Sequence, residues 1–91
     1  MSTIIQIDQH TLERAAERGT NRDEIIDVLT NGFDVPAKRQ RKAKAKVFNY
    51  NQKRLGRFYE QKRIEVIYTV ESDKIITITA YVFYGKWRQQ A

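Results

Sequence analysis

Residues 75–84 read IITITAYVFY and form the longest apolar run in the chain. A run this rich in β-branched and aromatic side chains is a strand, and its length makes it a central one. With a period of two, Ile76, Ile78, Ala80 and Val82 take one side, and Thr77, Thr79, Tyr81 and Phe83 take the other. The small aliphatic side is the natural bed for helices. The Thr/Tyr side then faces solvent or a cleft. Working back along the chain, ESDK at 71–74 has the composition of a hairpin turn. Residues 63–70, apolar and β-branched, are its other strand. Residues 57–61 and 44–50 are further strand-like runs, joined by a turn at 51–56.

Ahead of the strands the period changes to that of a helix. Asp8 is suited to cap a helix over residues 9–18, with Gly19 just past its end. Leu12, Ala15 and Ala16 build its apolar stripe. Thr20-Asn21-Arg22-Asp23 resembles a capping box with Asp in place of Glu, opening a second helix over 21–30. Ile25, Ile26 and Leu29 form that helix's buried side, and Asn31-Gly32 ends it. Residues 3–7 suggest an edge strand, 33–36 a connector or short strand, and 38–43 a basic loop. Lys86–Ala91 is a short tail. The sum is one α+β domain over residues 1–91. Its two N-terminal helices pack on one face of a three- to four-stranded antiparallel sheet.

Composition excludes several functions. The 91 residues contain no cysteine and one histidine, so disulfides, thiolate metal sites and a multi-histidine site are ruled out within one chain. No apolar stretch is long enough to span a membrane. The N-terminus has no signal-peptide pattern, which leads to an expectation of a cytoplasmic protein. Asp23, Glu24 and Asp27 suit the start and outer face of the second helix and form no metal site, so no cofactor is expected. Ser2 and Ser72 sit at a terminus and a turn, and the four glycines are scattered, so neither a serine hydrolase nor a phosphate loop is present.

Charge is distributed unevenly. Seventeen Lys+Arg against eleven Asp+Glu give +6. Residues 38–63 hold eleven of those cations and one acid, Glu60, while residues 1–37 hold three cations and seven acids. The block comprises Lys38, Arg39, Arg41, Lys42, Lys44, Lys46, Lys53, Arg54, Arg57, Lys62 and Arg63. It favours a polyanion, nucleic acid first, or an acidic protein surface. A solvated basic loop is the plain alternative. Aromatics interleave with it at Phe48, Tyr50, Phe58 and Tyr59, as base stacking would use and as exposed strands also contain.

His10, Arg14 and Arg18 recur every fourth residue on the first helix. One proton carrier and two permanent cations are a phosphate-handling row, although the same spacing suits a solvated face with Glu13 and Glu17. Metal-free RNA cleavage needs a proton acceptor, a proton donor and fixed positive charge. Tyr59, Lys62, Arg63 and Tyr81 join the row as candidates for those roles.

The stretch HTLERAAERGTNRDEIIDVLTNG at 10–32 and IITITAYVFYGKW at 75–87 resemble a small prokaryotic family of unknown function related to the RelE/ParE-like toxins. The resemblance runs from about Ile7 to Trp87. It implies a fold of the barnase–colicin–RelE type and metal-independent endoribonuclease activity. Cleavage would be by 2′-OH attack on RNA, free or on the ribosome. It points to His10, Arg14, Arg18, Thr79 and Tyr81 as site residues and to an acidic antitoxin-like partner. A ParE-like toxin acting on a protein such as gyrase, and a nucleic-acid-binding module without chemistry, are the other readings. A monomer or weak homodimer is expected, with an exposed edge strand as the place for a partner.

Overall fold

The computed structural model describes residues 4–87. Strand β1 (Ile4–Gln6) leads into helix α1 (Gln9–Arg18) and helix α2 (Arg22–Asn31). Strands β2 (Phe33–Val35), β3 (Lys42–Arg54), β4 (Arg57–Glu71) and β5 (Lys74–Gly85) follow. They form one five-stranded sheet in the order β1-β5-β4-β3-β2. The architecture is α+β, but the sheet is larger than expected and is mixed. β1 runs parallel to β5, while the other neighbours are antiparallel.

The ends of the helices follow from local chemistry. Asp8 accepts from the Thr11 amide at 2.7 Å and caps α1. This bond, then the Thr11 hydroxyl, holds the Asp8 carboxyl below its ordinary value of 3.8. A depressed carboxylate stabilises the fold above its unfolded pKa, and that contribution is lost as pH falls through the folded value. Asp8→Asn keeps the cap at neutral pH. Chemical denaturation of both proteins is therefore expected to agree near pH 7, with the wild type falling more steeply below about pH 5. Parallel curves would remove this role for Asp8.

Gly19 closes α1 with φ of 101°. Its amide reaches Ala15 and Ala16 oxygens at 3.0 and 3.3 Å, and the Thr20 amide reaches Ala15 oxygen at 2.9 Å. For α2 the cap is Asn21, one residue later than expected, accepting from the Glu24 amide at 2.9 Å. Thr20 instead donates its hydroxyl to the Glu24 carboxylate at 2.9 Å.

Both helices lie on one face of the sheet. Ala15, Ile25, Val28 and Leu29 pack on Ile64, Val66, Tyr68 and Ala80. Val28 rather than Ile26 completes the buried side of α2; on α1 Ala15 is buried as expected and Thr11 joins it, while Leu12 is only half-buried and Ala16 is exposed. Residues 57–61 and 63–70 are one continuous strand, because the charge at Lys62 is buried and paired instead of breaking it. Lys42 and Ala43, expected in a loop, begin β3.

The period-two reading of β5 holds over only part of its length. The register between β4 and β5 shifts at Ile67/Tyr68, so that Tyr68 pairs with Thr77 but Ile67 pairs with Thr79. Ile78 is the extra residue of a bulge, and side chains change face across it. Ala80 and Val82 face the helices as expected. Before the bulge Ile75 and Thr77 do so, and Ile76 and Ile78 turn to the opposite, open face.

Candidate nucleic-acid interface

The open face is centred on the second half of β5. Tyr81 and Phe83 stand two residues apart there, 42% and 46% exposed. Glu65 of β4 is directly opposite Tyr81, and Arg63 is opposite Phe83. Arg63 donates Nε to Glu65 at 3.1 Å and lies 5.3 Å from the Phe33 ring. Residues 36–41 arch over the same face. Pro36, Ala37, Lys38 and Arg41 enclose a hollow of about 330 Å³ with Ile67 and Tyr81. Arg39, Gln40 and Arg41 enclose another of about 480 Å³ with Thr69 and Ile78.

Arg18 reaches this face from α1. Its guanidinium donates to Ala80 oxygen at 2.8 Å and to Thr79 Oγ1 at 3.2 Å, and sits 5.2 Å from the centre of the Tyr81 ring. Two hydrogen bonds and a cation–π contact fix a permanent cation beside a half-exposed phenol.

The structure thus brings Arg18, Thr79 and Tyr81 together. His10 and Arg14 lie elsewhere. Steps of four residues advance about 40° around a helix, so the row rotates from solvent at His10 toward the sheet at Arg18. His10 is exposed. Arg14 is also exposed and pairs only loosely with Glu17, at 3.6 Å. His10 stands about 12 Å along the helix axis from Arg18.

Lys62 and Tyr59 have another setting. Lys62 is 8% exposed on the helix face. Its ammonium donates to Gly19 oxygen and to Glu24, both at 2.9 Å, and lies 5.7 Å from the Tyr50 ring. Tyr84 donates its hydroxyl to Arg18 oxygen at 2.7 Å, and Arg54 donates to Glu17 oxygen at 3.0 Å. Three side chains therefore satisfy the last carbonyls of α1. Tyr50 and Tyr59 pack on Tyr84 at 5.2 and 5.5 Å. Burial raises the Tyr84 phenol above its ordinary value.

The basic block divides in two. Lys44 pairs with Asp34 at 3.0 Å and Lys46 with Asp27 at 2.7 Å. The Lys46 bond, then Asn31, depresses the Asp27 carboxyl. Among the described residues Lys38, Arg39, Arg41, Lys42, Lys53 and Arg57 are exposed and make no ion pair. These are the exposed, unpaired cations of the block among the described residues. Arg88 lies outside the described residues.

Glu65 was missed by the sequence reading. Counting back from the 71–74 turn places it opposite Ala80, and only the bulge moves it to Tyr81. Among the described residues no cluster of His, Cys, Asp or Glu forms a metal site. No described helix is long and apolar enough to cross a membrane.

These features define a small α+β domain with a cation-fringed, aromatic sheet face. The chain belongs to the family described as a domain of unknown function (DUF4258), which it matches over residues 7–82. No curated protein and no solved structure matches it significantly.

Proposed function

We propose that the domain is a metal-independent endoribonuclease of toxin type, in the manner of the RelE-like proteins its sequence resembles, with RNA lying on the open face. The observation that carries this reading is the fixed guanidinium of Arg18 beside Thr79 and over Tyr81. Tyr81 and Phe83, about 7 Å apart along the strand, suit successive unstacked bases. Arg18, Lys38 and Arg41 supply charge for the phosphates.

In this reading the RNA 2′-oxygen attacks the adjacent phosphorus and the bond to the 5′-oxygen breaks. The products are a 2′,3′-cyclic phosphate and a 5′-hydroxyl. Glu65 accepts the 2′ proton, the Tyr81 phenol returns one to the leaving oxygen, and Arg18 faces the charge that builds on phosphorus. An acidic antitoxin-like protein would compete for the same exposed cations. Binding without cleavage is the second reading. It is favoured by one observation: the chain's single histidine, His10, lies outside the Arg18 group.

The test is incubation with total RNA in EDTA. Tyr81→Phe and Glu65→Gln are each expected to slow cleavage about a hundredfold with an unchanged circular dichroism spectrum, while His10→Ala stays within about threefold. RNA retarded on a gel but intact would favour the second reading, and no binding at all would sink both. Cleavage lost in His10→Ala and kept in Tyr81→Phe would move the chemistry to the outer face of α1.

A further inference from the structure

The β3–β4 hairpin continues beyond the sheet. β5 makes its last pairing at Gly85 with Gln61, whereas β3 and β4 stay paired as far as Arg54 and Arg57. The joining residues, Leu55 and Gly56, have φ of 53° and 81°. Both signs match the tight hairpin turn that Asn-Gly makes best. A leucine in the left-handed region is strained, and this one is 96% exposed. Phe58, three residues on, is 55% exposed. Neither side chain belongs to the core cluster.

The tip is cationic and firmly held. Lys53 and Arg57 are exposed and unpaired among the described residues, and no acid lies between Lys53 and Phe58. Arg54 bonds Glu17 oxygen at 3.0 Å and stacks 4.8 Å from the Tyr84 ring. It anchors the tip one residue away from Arg18, whose side chain crosses to Tyr81. The strained apolar tip is therefore held beside the C-terminal end of α1, the helix end from which Arg18 reaches Tyr81.

We infer that this tip is a wedge for the paired end of a structured RNA. The inference rests on the RNA reading above and adds the substrate class: a stem that gives way to a single strand. A-form RNA has a major groove too narrow for side chains and a minor groove lined with hydroxyls. The exposed face of a terminal base pair is the apolar surface it does offer. Apolar side chains insert between base steps of DNA in minor-groove proteins, so a base-pair face accepts such contacts. Leu55 and Phe58 rest on that pair, Lys53 and Arg57 meet the phosphates of the two strands, and the unpaired strand runs on toward Phe83 and Tyr81.

The test measures binding to two 2′-O-methyl RNAs, which 2′-OH attack cannot cleave. One is a stem-loop with a single-stranded tail, and the other is an unpaired strand of equal length. The wild type is expected to favour the tailed stem about tenfold. Leu55→Asn should erase that preference, leave affinity for the unpaired strand unchanged and raise the melting temperature by about 4 °C, because Asn relieves the turn. Tyr81→Ala should weaken both RNAs alike. Equal wild-type affinity for the two RNAs, or a preference that survives Leu55→Asn, overturns the wedge and leaves the RNA reading standing. If the wild type binds neither RNA, both fall together.

Discussion

Gly32→Ala is expected to cost about 3 kcal/mol of stability, read as a lower urea midpoint with an unchanged slope. The reason is space rather than backbone freedom, since φ at Gly32 is an ordinary −77°. The Gly32 amide closes α2 on Val28 oxygen at 2.8 Å. An added Cβ would fall against that same oxygen and within 2.6 Å of Ala45 oxygen. Both atoms are backbone, one in α2 and one in β3, so no flexible side chain can yield. Relief would require the helix to lift from the strand next to the buried Val28 and Leu29. Gly56→Ala is the contrast, because its Cβ meets nothing within 4 Å and only a positive φ of 81° opposes it. That change should cost about 1 kcal/mol. Equal losses at the two glycines would refute the crowding argument.

Lys62→Met should destabilise the protein by about 3 kcal/mol. Methionine fills the space of the lysine stem, so the loss isolates the ammonium. That group holds Gly19 oxygen and the Glu24 carboxylate, with side-chain exposures of 10% and 24% for Lys62 and Glu24. Removing it leaves a carbonyl at the end of α1 and a shielded carboxylate unanswered. Adding Glu24→Gln should recover about half the loss, since glutamine still accepts from Thr20 and carries no charge. A loss below about 1 kcal/mol, with no recovery in the double variant, would mean that Glu24 turns out to water.

The parts of this fold that were legible in the sequence are those with local causes. The bounds of α1 follow from Asp8 and Gly19, both of which act within one turn of the helix. The β4–β5 hairpin follows from its turn composition. What escaped the reading depends on partners distant in the chain. Lys62 looks like a break in a strand until Glu24 is beside it. The parallel pairing of Ile5 with Ile75 has no signature in either segment. The bulge at Ile78 is carried by an isoleucine that fits a regular strand equally well, so the faces of Ile76 and Thr77 were exchanged. For the site, the spacing of His10, Arg14 and Arg18 was read correctly as a helical row. Its gradual rotation, which separates Arg18 from the other two, matters only once the position of the sheet is known. Thr79 and Tyr81 stood on the side expected to face solvent or a cleft, because the phase beyond the bulge is the one the period-two reading assigned.

The place of β5 between β1 and β4 has a consequence for how the chain is made. The last of the five described strands lies inside the sheet, and residue 4 finds its partner only when residue 74 is available. Closing so long a span is entropically slow compared with the neighbouring hairpins. A chain that has not yet made β5 therefore carries α1 without most of its bed, and Arg18 with neither Thr79 nor Tyr81 to hold. The Arg18–Thr79–Tyr81 group assembles only once β5 is made, and any chain interrupted before Tyr81 carries the cations without that group.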